Sequence, residues 1–166
     1  MSDPQSAAPE LVVGAWRGYR VWRIAGDRLT GWWHTDYVWT PGVSEASCTA
    51  RQWTLRGRRG RHPGFAAPQR NCDCGLYALR EPWDFAGYLP SKHFGYHDQS
   101  TVVIGVVAGW GQAFRGEHGW RAQFARPVTL YRSPGLGERV DRIAAWYGCR
   151  VVEGRSALLA AADQHA

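Results

Sequence analysis

Alternation of apolar and polar side chains dominates the chain and points to strands. Between Gly14 and Ile24, Arg20, Trp22 and Ile24 fall on one side of an extended segment, with Tyr19, Val21 and Arg23 on the other. Gly26-Asp27 is a turn signal, and Arg28 to Trp33 can return antiparallel, offering Trp22, Trp32 or Trp33 to a core. Thr101 to Ala108 is β-branched and nearly continuous, as in a strand buried on both faces or built into a barrel wall. It runs on through Phe114 to a hairpin tip at Arg115-Gly-Glu-His-Gly119. Trp120 to Ala125 then returns, with Trp120, Ala122 and Phe124 on one face and Arg121 and Gln123 on the other, and Pro127 is expected to break it.

Beyond Ser133-Pro134 the period lengthens. Leu136, Val140, Ile143, Ala144 and Tyr147 recur at helical spacing and Gly148 suits the residue that ends a helix, so an amphipathic helix should pack on the sheet. Val151-Val152 suggests an edge strand. Cys74 to Leu79 is a short buried segment, helix or strand. The fold class that results is α+β: a strand-rich single domain, a small twisted sheet or partly open barrel with one or two packed helices. A compact barrel of the kind found in small RNA-binding modules is one of the forms this outline allows, an analogy of shape alone. Residues 1–10 read as a disordered tail, 11–153 as the domain with a Cys/His loop at 48–74, and 154–166 as a terminal helix or tail.

The 166-residue chain is 45% apolar and carries ten Trp, so most of it should fold and most of those rings should be core. Its charge is +6, and among 20 basic residues only Lys92 is a lysine. Codon usage in a GC-rich genome explains that bias without function. Guanidinium forks also suit phosphate, which makes a nucleic acid or other polyanion the expected partner. A secretory leader and a long apolar run are both lacking, so the expected location is the cytoplasm, where clustered cysteines are metal ligands more often than disulfides.

Three of the four cysteines, with one histidine, form the main chemical signal. Cys48, thirteen residues, His62, nine residues, Cys72, one residue and Cys74 supply three thiolates and an imidazole, a set that suits tetrahedral zinc. A site with four protein ligands is closed, hence structural. Cys-x-Cys is a tighter bite than the usual zinc knuckle, and a [2Fe-2S] cluster, a disulfide or plain buried thiols remain alternatives on the same residues. Cys149 reads as a packed thiol.

Arg56, Arg58, Arg59 and Arg61 lie inside this loop, flanked by Arg51 and Arg70, with Trp53 and Phe65 nearby, an arrangement able to hold phosphates while stacking on bases. A solvated loop beside core aromatics is the plainer alternative. Signatures of familiar enzyme classes are absent, so the chain reads as a non-enzymatic zinc-stabilised module. Three alternatives stay open: a protein-interaction or small-ligand module using exposed aromatics, a small enzyme around His93, His97 or His118, and a [2Fe-2S] redox or sensor protein. The pieces Cys72-Asp-Cys-Gly-Leu-Tyr-Ala78, Val103-Ile-Gly-Val-Val-Ala-Gly-Trp-Gly111, His118-Gly-Trp-Arg-Ala122 and Tyr147-Gly148 resemble a family of small uncharacterised proteins of actinomycete type. That resemblance covers roughly Tyr19 to Val152 and implies one folded unit, with no activity attached.

Overall fold

The computed structural model describes residues 10–32, 35–48, 66–70, 72–82, 101–132 and 136–163. Three long strands carry the fold: β1 (Glu10–Ala25), β5 (Val102–Arg115) and β6 (Gly119–Tyr131). They are antiparallel neighbours in the order β1, β5, β6. Short strands tile what is left of their edges. β4 (Leu76–Leu79), β3 (Ser44–Glu45) and β7 (Arg150–Val152) pair in turn with Gly119 to Ala122, Phe124 to Ala125 and Thr129 to Tyr131 of β6. β2 (Arg28–Thr30) pairs with the end of β1. Because β4 also reaches Tyr19 of β1, the path β1, β5, β6, β4 returns to its start, and the sheet is a partly closed ring.

Alternation decides what the ring encloses. Trp22, Val103, Val107, Trp120, Ala122 and Leu130 point inward with Leu29 and Trp39, and Trp22 and Trp39 meet edge to face at 5.5 Å. A ring this narrow holds indoles only where the neighbouring strand leaves them room. A Cβ on Gly109 would stand 2.3 Å from the Trp120 ring, which is itself fixed by an indole N–H donated to the Arg17 carbonyl at 3.1 Å. One end is closed by α1 (Glu138–Tyr147), which buries Val140, Ile143, Ala144 and Tyr147, as the periodicity expects. Gly148 follows in the left-handed conformation, with backbone N–H bonds closing onto Ala144 and Ala145.

The outer face of the ring has its own apolar group. Tyr19, Val21, Val102 and Val106 are covered by Leu158 and Ala161 of α2 (Arg155–Asp163), so the C-terminal segment is a docked helix. Arg17 donates to the Ala161 carbonyl at 2.8 Å, placing a cation at the negative end of that helix.

Pro127 does not break its strand. β6 continues through it, and the register against β5 shifts between Val106 and Val107 instead. The irregular position absorbs the missing N–H donor, so the strand bends and keeps its length. A second shift, between Trp110 and Ala113, separates Phe124 from the inward row of Trp120 and Ala122 that simple alternation would give it. β4, ambiguous in sequence, is a strand, and β7 lies parallel to β6. Among the described residues no helix is long and apolar enough to cross a membrane.

Candidate metal centre

Before it enters β4 the chain crosses the outer side of β6, and a single buried side chain organises that crossing. Arg121 sits opposite Phe114 in the β5–β6 pairing, its guanidinium 4.6 Å over the phenyl ring. It donates to three carbonyls of the loop: Cys72, Cys74 at 2.9 Å and Gln69 at 3.1 Å. The planar fork suits this task, since one group satisfies several acceptors in fixed directions.

The loop is held from other sides too. The Cys72 amide donates to the Gln69 carbonyl at 3.1 Å, and Gln112 of β5 donates to the Pro68 carbonyl at 3.0 Å. The Tyr77 hydroxyl donates to the Asp73 carbonyl at 2.6 Å. Gly75 has φ 133, a conformation that favours glycine, and a Cβ there would lie 3.1 Å from that of Arg121. The glycine lets the backbone pass directly over the arginine.

The third cysteine arrives from farther along the same edge of β6. After β3 the Ala46 amide donates to the Gln123 carbonyl of β6 at 2.7 Å, which aims Cys48 at the same place. The sulfur atoms of Cys48, Cys72 and Cys74 all lie within 4.8 Å of one another, and these three thiols could hold a metal ion. Cys72 is buried, while Cys48 and Cys74 are half-buried. The Cys48 and Cys72 sulfurs are 3.6 Å apart. A disulfide would need about 2.05 Å. Two thiolates at about 2.3 Å from a tetrahedral zinc stand roughly 3.8 Å apart, so the observed spacing, also that of a thiol–thiol hydrogen bond, leaves room for a shared ion.

Without a cation the Cys74 sulfur holds its proton. Burial pushes the Cys74 thiol up to about 12; a hydrogen bond from the Gln69 backbone works against this, and the neighbouring Cys72 and Cys48 add to the rise. A divalent ion would reverse the balance, since it stabilises the thiolate that burial disfavours. Cys149 lies apart, half-buried against the inner core, where desolvation pushes it up to about 11. It is the packed thiol that the sequence suggests.

Of the residues expected at this site, the structure brings Cys48, Cys72 and Cys74 together. His62, Arg51, Arg56, Arg58, Arg59, Arg61, Trp53 and Phe65 lie outside the described residues, as do His93 and His97. Arg70 is exposed on the turn just before Cys72, and His118 is exposed at the tip between β5 and β6. Arg121 and Gln112 escape a reading of the sequence. Both look like outward-facing strand residues, and no local signal announces that a loop will fold over them.

Compared with known proteins, the chain matches no family model, no curated protein and no solved structure.

Proposed function

We propose that this protein is a zinc-stapled, non-enzymatic module that binds a polyanion. The observation that carries the metal reading is the convergence of the Cys48, Cys72 and Cys74 sulfurs within 4.8 Å. Zinc is favoured over a [2Fe-2S] cluster because a cluster spreads its ligands over two irons, whereas this spacing suits one ion. His62 is the proposed fourth ligand. The resulting site is closed, and its task is to tie the segment between Cys48 and Cys72 to β6.

That segment carries Arg51, Arg56, Arg58, Arg59, Arg61 and Arg70, with Trp53 and Phe65. Anchoring both of its ends would keep these cations beside the metal, and the chain's +6 charge supports an anionic partner.

Elemental analysis with an absorbance spectrum tests the metal: one zinc per chain and no visible band is expected, and a brown, iron-containing protein or a metal-free, fully stable one overturns it. Binding to heparin and to oligonucleotides at increasing salt tests the partner. Four neutralised phosphates would give a log–log slope of about −3 to −4. Absence of binding at low salt, or binding that survives alanine at Arg56, Arg58, Arg59 and Arg61, removes the loop from the account.

A further inference from the structure

Among the described residues, two aromatic rings on the outer face of the sheet belong to neither packed group of the core. Trp110 of β5 and Phe124 of β6 are direct partners across the hairpin, their rings stacked with centroids 6.2 Å apart and planes inclined by 29°. Both are half-buried, and both are missing from the inner cluster and from the group under α2. Aromatic area of this size normally goes into a core.

The rows beside them are cationic. Strand alternation puts Ala108 and Arg126, two positions along from Trp110 and Phe124, on the same face. Ala108 pairs with both Arg126 and Arg17, so a small residue lies between two arginines, whose Cα atoms are about 10 Å apart at two strand spacings. In the next row Thr129 pairs with Arg150. Arg126 and Arg150 are exposed. Burial first, and then their charges, hold the Arg17 guanidinium below its ordinary value, so both cations lie within electrostatic reach of it. Glu45, opposite Phe124 on β3, and Asp163, in α2, are acids at the margins.

We propose that this face binds single-stranded nucleic acid, with bases stacking on Trp110 and Phe124 and phosphates held by Arg126, Arg150 and Arg17. A duplex hides its base faces in its own stack, and a polyanion without bases has nothing to lay on an indole. Only a single strand uses both halves of the surface. The inference deepens the polyanion reading by naming the partner class, but it rests on different residues from the arginine loop.

The test uses the full chain as purified, with fluorescence anisotropy of labelled oligothymidylate and oligouridylate of about a dozen nucleotides, a hairpin duplex and heparin. The two single strands decide between DNA and RNA. Losing one base–aromatic stack should weaken single-strand binding about ten-fold or more in Trp110→Leu. Trp110→Phe, which keeps an aromatic face, should stay within about three-fold of the parent, and heparin binding should be the same in both. Arg126→Gln, an exposed change that leaves the fold alone, should lower the salt slope by about one.

Equal single-strand affinity in Trp110→Leu and the parent overturns the proposal, as does an unaltered salt slope in Arg126→Gln should the Trp110 variant fail to fold. If alanine at Arg56, Arg58, Arg59 and Arg61 abolishes binding while Trp110→Leu and Arg126→Gln do not weaken it, the loop reading stands and this one falls. Binding lost in Trp110→Leu and Arg126→Gln but kept in the loop variant upholds the sheet face and removes the loop. No binding of any probe at low salt removes both.

Discussion

Arg121 donates to the carbonyl oxygen of Cys74 at 2.9 Å from a position where only 8% of the arginine is exposed. The same guanidinium reaches the carbonyls of Cys72 and Gln69. Two of the three proposed zinc thiolates are therefore presented by backbone that a single side chain of β6 holds in place. The cysteine cluster and the sheet are coupled through that side chain.

Removing Arg121 should damage stability and metal binding together. Buried acceptors that lose their donor cost about 1–3 kcal/mol each. Arg121→Ala is therefore expected to destabilise by about 3 kcal/mol or more, a fall in Tm of about 6–12 °C for a chain of this size. Arg121→Lys should recover part of this, since an ammonium can serve some of the carbonyls but lacks the planar fork. Thermal melts with and without zinc, alongside a zinc competition titration, check both effects.

The cysteines give the protein opposite pH responses with and without metal. In the metal-free protein, Cys74 and Cys149 have folded values of about 12 and about 11, above their ordinary value of 9.0. Below pH 9 these thiols are protonated whether folded or not, and stability does not depend on them. Above it the unfolded chain loses protons that the native state keeps, so stability should fall from about pH 9 upward. Denaturant midpoints across that range test the sign. Zinc binding near neutrality should instead release about three protons from Cys48, Cys72 and Cys74, read from the buffer dependence of the binding enthalpy, and affinity should drop on acidification.

Closing the ring around indoles makes Gly109 intolerant. In Gly109→Ala the new methyl meets Trp120, whose N–H is engaged with the Arg17 carbonyl, so the ring cannot withdraw without losing that bond. A cost of about 1–3 kcal/mol is expected from overpacking. Trp fluorescence and urea denaturation report it. A Gly109→Ala protein as stable as the parent would show that the ring has room to spare.

Tyr147→Phe tests how α1 is fastened. Its hydroxyl accepts the Leu29 amide at 3.0 Å and donates to the Trp39 carbonyl at 2.8 Å, all three groups being buried. Losing the oxygen strands both backbone groups and should cost about 2–4 kcal/mol, with little change in zinc affinity, because Tyr147 packs with the inner core and its hydroxyl is engaged by Leu29 and Trp39. Parallel measurement of Tm and zinc affinity separates this variant from Arg121→Ala.

Local pattern carries information about this fold only where the pattern is long. Val140, Ile143, Ala144 and Tyr147 repeat at helical spacing over two turns, and β5 and β6 run 14 and 13 residues on either side of a Gly-rich tip, so both are legible. β4 has four residues and owes its strand state to partners distant in sequence on β1 and β6. Three site cysteines are legible because thiols are rare and here closely spaced. Arg121 is not, because a charged residue in an alternating strand reads as solvent-facing, and its burial depends on a loop nearly fifty residues away.

The tiling of β6 has a bearing on how the chain behaves in a crowded cell. β5 has neighbours on both sides, and the second edge of β6 is shared among β4, β3 and β7, none longer than four residues. A strand from another molecule seeks a long, flat row of unpaired amides and carbonyls. Here the described part of that edge is cut into short, separately anchored pieces, which guards a valine-rich hairpin against recruiting copies of itself into fibres.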